Sequence, residues 1–182
     1  EGAMVDLEDA RMLTEPERRE LNMVFYFDHL EVDRRVARYV PKKFRAKNLL
    51  AVLAKWQRGL SWNAVYLESH DQPRIVSHYG DDQKYWERSA KLLATMLLTL
   101  RGTPYIYQGQ EIGMTNFGFT SLSQMDDVES RNIDALMKKM HIPAGLRRKW
   151  VADSSRDNAR TPAQWSTEAN AGFTDGTPWL AV

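Results

Sequence analysis

The chain has 182 residues, 43% of them hydrophobic, which is enough for one sizeable domain or part of a larger one. A formal net charge of +1 argues against a strong electrostatic attraction to nucleic acid or an anionic membrane. There is no cysteine, hence no disulfide and no thiolate metal site, which is compatible with a reducing, cytoplasmic setting. No apolar run reaches the roughly 18 residues of a spanning helix, so no membrane partner is expected.

In chain order, residues 6–12 read as a short helix with Asp6 as its cap. Thr14-Glu15-Pro16-Glu17 reads as a capping box with proline in the first turn, predicting a short charged helix up to Glu20. The run 23–27 predicts a first strand, followed by polar Asp28-His29. Residues 33–47 are basic, irregular and interrupted by Pro41, and are expected to form an exposed excursion. Leu49, Leu53, Trp56 and Leu60 recur at spacings of 4, 3 and 4, the amphipathic helical pattern. Residues 64–67 predict a second strand. Trp86, Ala90, Leu93, Leu97 and Leu100 alternate in the same way and predict a second long helix of about five turns. Gly102-Thr103-Pro104 is read as ending it, and 105–107 as a third strand. Beyond Glu111 the chain becomes loop-rich, with a helix near 132–140 and a tail from Ser154 rich in Asn, Thr, Gly, Pro and Trp. No internal repeat has a solenoid period.

Strand, helix, strand, helix, strand with connections of this length fits right-handed parallel crossovers. Two architectures satisfy the order: part of a (β/α)₈ barrel, or a doubly wound sheet. No Gly-rich dinucleotide fingerprint or phosphate-binding loop follows a strand, which weakens the nucleotide-binding version of the second. The second strand runs into Glu68-Ser69-His70-Asp71-Gln72, and the third into Gln108-Gly109-Gln110-Glu111. Such polar ends are expected to face a site and not a core, with His70, Asp71, Gln110 and Arg156 on one cavity, because strand ends in parallel α/β units converge on one face.

His70-Asp71 is the candidate for chemistry; the plain alternative is a structural pair at a strand end. A metal pair is disfavoured because His29, His78 and His141 are scattered, and no serine nucleophile elbow is present. Carboxylate chemistry remains. Asp71 can place negative charge beside a developing cation, and His70 can hydrogen-bond a sugar hydroxyl. Trp62, Tyr66, Tyr105 and Tyr107 either stack on sugar rings or belong to the core.

Leu67-Glu68-Ser69-His70-Asp71-Gln72-Pro73-Arg74 resembles the motif near the seventh barrel strand of α-amylase superfamily enzymes, in the form found in oligo-1,6-glucosidases and related α-glucosidases. Gly102-Thr103-Pro104-Tyr105-Ile106-Tyr107-Gln108-Gly109-Gln110-Glu111-Ile112-Gly113-Met114 resembles the eighth strand and its loop. Asp127-Val128-Glu129-Ser130 is similar to the acidic motif that follows. Ser155-Arg156-Asp157-Asn158-Ala159-Arg160-Thr161-Pro162-Ala163-Gln164-Trp165 and Asn170-Ala171-Gly172-Phe173-Thr174 resemble the long loop over the pocket. Glu1 to Ala10 lines up with the stretch that begins on the general acid at the end of the fifth strand.

The resemblance implies a C-terminal fragment of a catalytic (β/α)₈ barrel, roughly strands 6 to 8, with residues 154–182 an active-site loop running toward a β-sandwich domain. It implies a retaining glycosidase that removes terminal α-linked glucose from short oligosaccharides. Glu1 would be the acid/base and Asp71 the transition-state stabiliser. His70 would bond the sugar in the −1 subsite, and Gln72 and Glu129 would line the +1 subsite. Arg156 would pair with the substrate-binding acids, with Arg160 as the competing choice. The nucleophile Asp belongs to the fourth strand, which this chain lacks, so the isolated chain is expected to be inactive. An oligosaccharide substrate, no cofactor, no metal and a monomeric full-length protein are expected. A sucrose isomerase or trehalose synthase of the same family, and a non-catalytic member of the fold, are the rivals. Ser69 stands where the family usually has Asn, Ala163 where Met is common, and residues 131–151 do not follow the family pattern closely.

Overall fold

The computed structural model describes residues 5–18, 20–35 and 38–182. Helix α1, Leu7–Thr14, is capped as predicted: the Asp6 carboxylate accepts the N–H groups of Glu8 and Asp9 at 2.8 and 2.9 Å. The capping box after it is a correction. Thr14 is the last residue of α1, and its hydroxyl donates back to the Ala10 carbonyl at 2.8 Å. A residue that closes one helix does not stand as the extended N-cap of the next, and residues 16–18 form only a turn.

Helix α2, Ala46–Gly59, buries Leu49, Leu53 and Trp56, with buried Leu60 just beyond its end. Strand β1, Ala64–Tyr66, pairs in parallel with β2, Thr103–Tyr105, in the register Ala64↔Thr103, Val65↔Pro104 and Tyr66↔Tyr105. Between them lie α3, Ile75–Tyr79, and α4, Trp86–Thr99. Val65 and Leu67 pack with Ile75, Val76, Leu93 and Leu97 in one apolar core, so the predicted stripe of α4 faces the strands. The third predicted strand starts two residues early, at Thr103. Gly102 and Pro104 belong to its entrance, not to a helix stop. Gly102 has φ +147°, and a Cβ there would lie 2.3 Å from the Asn63 carbonyl oxygen. The same carbonyl accepts the Thr103 N–H at 2.8 Å, so the strands can close only over a glycine.

The expected first strand is a second correction. Residues 23–27 keep a strand's alternation: Val24 and Tyr26 are buried with Ala10, Trp56 and Leu60, while Phe25 and Phe27 set their ring edges against Tyr66. Among the described residues, however, the segment joins no ladder. Side chains occupy backbone acceptors along this seam. His29 Nε2–H donates to the Tyr66 carbonyl at 2.8 Å, and the Tyr66 hydroxyl donates to the Tyr26 carbonyl at 2.9 Å.

The excursion is exposed only in part. Lys42, Lys43, Arg45 and Lys47 are exposed, but Asp33 and Tyr39 are buried. An antiparallel bridge joins Arg34 to Pro41, and Asp33 accepts the His78 Nε2–H at 2.9 Å. Helix α5, Val128–Lys139, starts earlier than predicted because Asp127 caps it, accepting the N–H groups of Glu129 and Ser130. Helix α6, Ala144–Ser154, was not foreseen; with α5 it encloses Tyr39, Phe119, Met125, Met137 and Val151. The one-turn helix α7, Asp157–Arg160, follows. No helix among the described residues is long and apolar enough to cross a membrane.

Candidate active site

The chain leaves the carboxyl end of β1 through a turn in which the Ser69 carbonyl accepts the Gln72 N–H and the Ser69 hydroxyl accepts the Asp71 N–H, each at 3.2 Å. The turn presents His70 and Asp71 to a cavity of about 260 Å³. Its walls are aromatic, from Phe25, Phe27, Tyr66, Tyr105 and Tyr107, and its polar rim is Ser69, His70 and Asp71. Trp62 is absent from these walls; its indole N–H donates to the Thr103 hydroxyl at 2.9 Å instead.

Asp71 is held from three sides. Its Oδ2 lies 3.2 Å from His70 Nε2, and its Oδ1 lies 2.9 Å from Arg160 Nη2 and 3.4 Å from Arg156 Nη1. Arg160 Nε also donates to the His70 carbonyl at 2.9 Å, so this one side chain bridges both residues of the pair. Arg156 is committed elsewhere: it reaches Asp127 Oδ1 through Nη2 at 2.5 Å and Nε at 3.1 Å, and Glu129 at 3.2 Å. Arg38 joins the ring, donating to the Asp71 carbonyl at 3.1 Å and meeting Glu129 at 3.3 Å. Three guanidinium groups thus interleave with the carboxylates of Asp71, Asp127 and Glu129. Burial pushes the Asp127 carboxyl up, but the hydrogen bonds from Arg156 and Ser130 outweigh it and hold the group below the usual carboxylate range. Arg156 is raised in turn, chiefly by its hydrogen bond to Asp127.

The remaining expectations divide. Glu129 stands on the rim between Arg38 and Arg156. Gln72 does not line the aromatic cavity; it borders a small recess with Arg34, Arg38 and Ser154. Gln110 and Arg156 also lie outside the cavity lining, which corrects their expected place; Arg156 borders a neighbouring recess with Asp126, Asp127 and Arg160. Gln110 Oε1 accepts the Tyr107 N–H at 3.2 Å, folding the side chain onto its own loop. Glu1 lies outside the described residues. The polar strand end is not wholly exposed either. Glu68 and Arg74 form a buried ion pair at 3.1 Å, and Glu68 Oε1 accepts the Ile75 N–H at 2.9 Å. Arg74 continues to the Gln108 carbonyl at 2.8 Å and tethers the loop after β2 to the end of β1. Burial pushes the Glu68 carboxyl up, against the pull of Arg74.

Arg38 and Arg74 are the residues that sequence reasoning missed. Arg38 is one of several cations in a basic run, and nothing local marks it. Arg74 closes the motif that follows β1, but its partner sits six positions upstream and meets it only once the turn is folded. Among the described residues no three side chains cluster as a metal site. The chemistry available is that of an oriented carboxylate on an aromatic wall, able to favour positive charge developing in the cavity.

Residues 1–182 match the family described as Alpha-amylase: alpha amylase, catalytic domain. The chain is 48% identical to the oligo-1,6-glucosidase of Halalkalibacterium halodurans, over 98% of the chain and 32% of that protein. It is 46% identical to the trehalose-6-phosphate hydrolase of Bacillus subtilis, over 93% of the chain and 31% of that protein. The crystal structure of Bacillus licheniformis trehalose-6-phosphate hydrolase superposes with a TM-score of 0.91 at 47% identity, covering 97% of this chain and 33% of that one. Isomaltulose synthase from Klebsiella sp. LX3 superposes with a TM-score of 0.92 at 40% identity, covering 98% and 33%. The chain therefore spans about a third of the length of the curated relatives it matches.

Proposed function

The chain belongs to the α-amylase catalytic-domain family, and on that premise we propose that it is the part of a (β/α)₈-barrel glycosidase carrying strands 6 to 8. The reaction is hydrolysis of terminal α-linked glucose in short oligosaccharides with retention of configuration, in the manner of an oligo-1,6-glucosidase. The observation that carries this reading is the Asp71 carboxylate, set on an aromatic cavity and clamped by Arg160, Arg156 and His70. An anion held so firmly needs little reorganisation when an oxocarbenium-like sugar forms beside it.

On this reading Asp71 bonds sugar hydroxyls and stabilises the cationic ring, and His70 bonds the same sugar. Arg160 orients Asp71, while Arg156 ties the Asp127–Glu129 segment to the rim. Glu129 and Gln72 read the sugar on the leaving side, although Gln72 must turn from its recess to do so. Glu1 is the acid that protonates the leaving oxygen, and an aspartate of the fourth barrel strand attacks the anomeric carbon. Residues 154–182 act as the loop over the pocket. A monomeric, cytoplasmic enzyme without cofactor completes the proposal.

A second reading is an isomerase of the same family, favoured by the superposition on isomaltulose synthase. Both are tested with the full-length protein, by following glucose release from isomaltose and from an aryl α-glucoside and by analysing the products formed from sucrose. Glucose release that falls at least about 10²-fold in Asp71→Asn supports the glucosidase. Conversion of sucrose to an isomeric disaccharide without glucose release favours the isomerase. Asp71→Asn activity within a few fold of wild type removes Asp71 from the mechanism.

A further inference from the structure

We propose that Asp157 is a positioning residue that sets the two arginines on Asp71 by locking helix α7 to the start of helix α5. A helix of four residues has no stability of its own, so α7 lies where tertiary contacts put it. Arg156 is the N-cap of this single turn and Arg160 its last residue, and both reach Asp71 Oδ1. A small rotation of the turn would move both guanidinium groups together.

The Asp157 side chain is buried, with 2% of the residue exposed. Its Oδ2 accepts two backbone N–H groups, from Asp126 at 2.7 Å and from Asp127 at 2.9 Å. An ionised oxygen taking two amides is a strong, directional tie. Those amides belong to the residues that lead into α5, and Asp127 is both the cap of α5 and the partner of Arg156. The chain therefore closes a reciprocal loop: Asp157 holds the backbone of Asp127, and the Asp127 side chain holds Arg156, the neighbour of Asp157. Ser155 braces the loop; its hydroxyl accepts the Asp157 N–H at 3.2 Å and lies 2.9 Å from the Ser130 hydroxyl. Without the Asp157 carboxylate, the hydrogen bonds and ion pairs left between the two segments, among the described residues, run from side chain to side chain.

This inference rests on the glycosidase reading for its kinetic consequence but not for its structural one, and the experiment separates them. Full-length wild type, Asp157→Ala and Asp157→Asn are compared at a temperature where each is fully folded. Asp157→Ala is expected to lower kcat at least about 10-fold with a smaller change in KM, because the arginines are misplaced around a transition-state contact. Asp157→Asn keeps an acceptor oxygen and is expected to recover kcat to within about 3-fold of wild type. By hydrogen exchange, the amides of Asp126 and Asp127 are expected to lose protection in Asp157→Ala while the interior amides of α5 keep theirs. If the wild type cleaves no glycoside, the function proposal fails and the exchange result alone decides this one. Unchanged protection at Asp126 and Asp127, unchanged kcat in the alanine variant of an active enzyme, or no recovery by asparagine overturns it.

Discussion

Arg160 Nη2 sits 2.9 Å from Asp71 Oδ1, whereas Arg156 Nη1 stands 3.4 Å from the same oxygen. The half-ångström separates two roles. Arg160 makes a full charge-assisted hydrogen bond to Asp71 and a second to the His70 carbonyl. Arg156 spends its best geometry on buried Asp127 and touches Asp71 only at the margin.

Substituting the two arginines is therefore expected to have different consequences. Arg160→Lys keeps the charge but loses the planar fork that serves Asp71 and the His70 carbonyl from two nitrogens, so kcat/KM of the full-length enzyme is expected to fall about 10-fold or more with little loss of stability. Arg156→Ala strips the buried Asp127 carboxylate of its cation and is expected to lower the denaturation midpoint more than Arg160→Lys does. Steady-state kinetics and urea melts of both variants check the order; the reverse order contradicts the assignment.

The Glu68–Arg74 pair predicts a stability effect away from the chemistry. Arg74→Met leaves a buried carboxylate without its cation and is expected to cost about 3–5 kcal/mol. Glu68→Gln with Arg74→Met is expected to cost less than the sum of the two single changes, because neither charge is then stranded. A double-mutant cycle from urea unfolding reads the coupling; additive costs would show that the pair is not coupled.

His29 predicts how stability responds to acid. Burial lowers its pKa from 6.5 to about 4, against small upward pulls from the Tyr66 carbonyl and Asp28. The unfolded chain takes up a proton near pH 6.5 that the folded chain resists until about pH 4. Stability from this group is thus complete above the unfolded value and is lost as pH falls toward the folded one, by about 3 kcal/mol across the window. His78, lowered by burial as well, acts in the same direction. His29→Phe is expected to flatten the dependence of the urea midpoint between pH 7 and pH 4, at a constant cost from the lost bond to Tyr66. An unchanged slope would falsify the buried neutral imidazole.

Two glycines predict opposite signs. Gly102→Ala forces a Cβ to 2.3 Å from the Asn63 carbonyl at φ +147°, and is expected to destabilise by at least about 1–3 kcal/mol. Gly145 lies in the first turn of α6 with no atom within 4 Å of an added Cβ. Gly145→Ala is expected to stabilise by about 0.4–1 kcal/mol. Thermal melts of the pair check both.

The sequence by itself determined what neighbours along the chain can encode. The stripes of α2 and α4 were legible because helical spacing repeats within each segment. The Asp6 cap was legible because its bonds reach only two and three residues on. The family motifs marked His70 and Asp71, and two arginines for one role. What depended on distant partners was not legible. Thr14 has the chemistry of an N-cap, yet it closes α1, where its hydroxyl donates back to the Ala10 carbonyl. Residues 23–27 have a strand's period, but a ladder is a property of two segments, and here side chains occupy the seam. Glu68 reads as an exposed acid until Arg74 folds back under it. Arg156 and Arg160 are four residues apart and so share one face of any helical turn. Which of them serves Asp71 is decided across 85 and 89 residues of chain, by where Asp157 and its amide partners anchor that turn. Periodicity fixes a face within a segment, whereas an ion pair between distant residues exists only after the backbone has closed and set the distances on which Coulomb attraction depends.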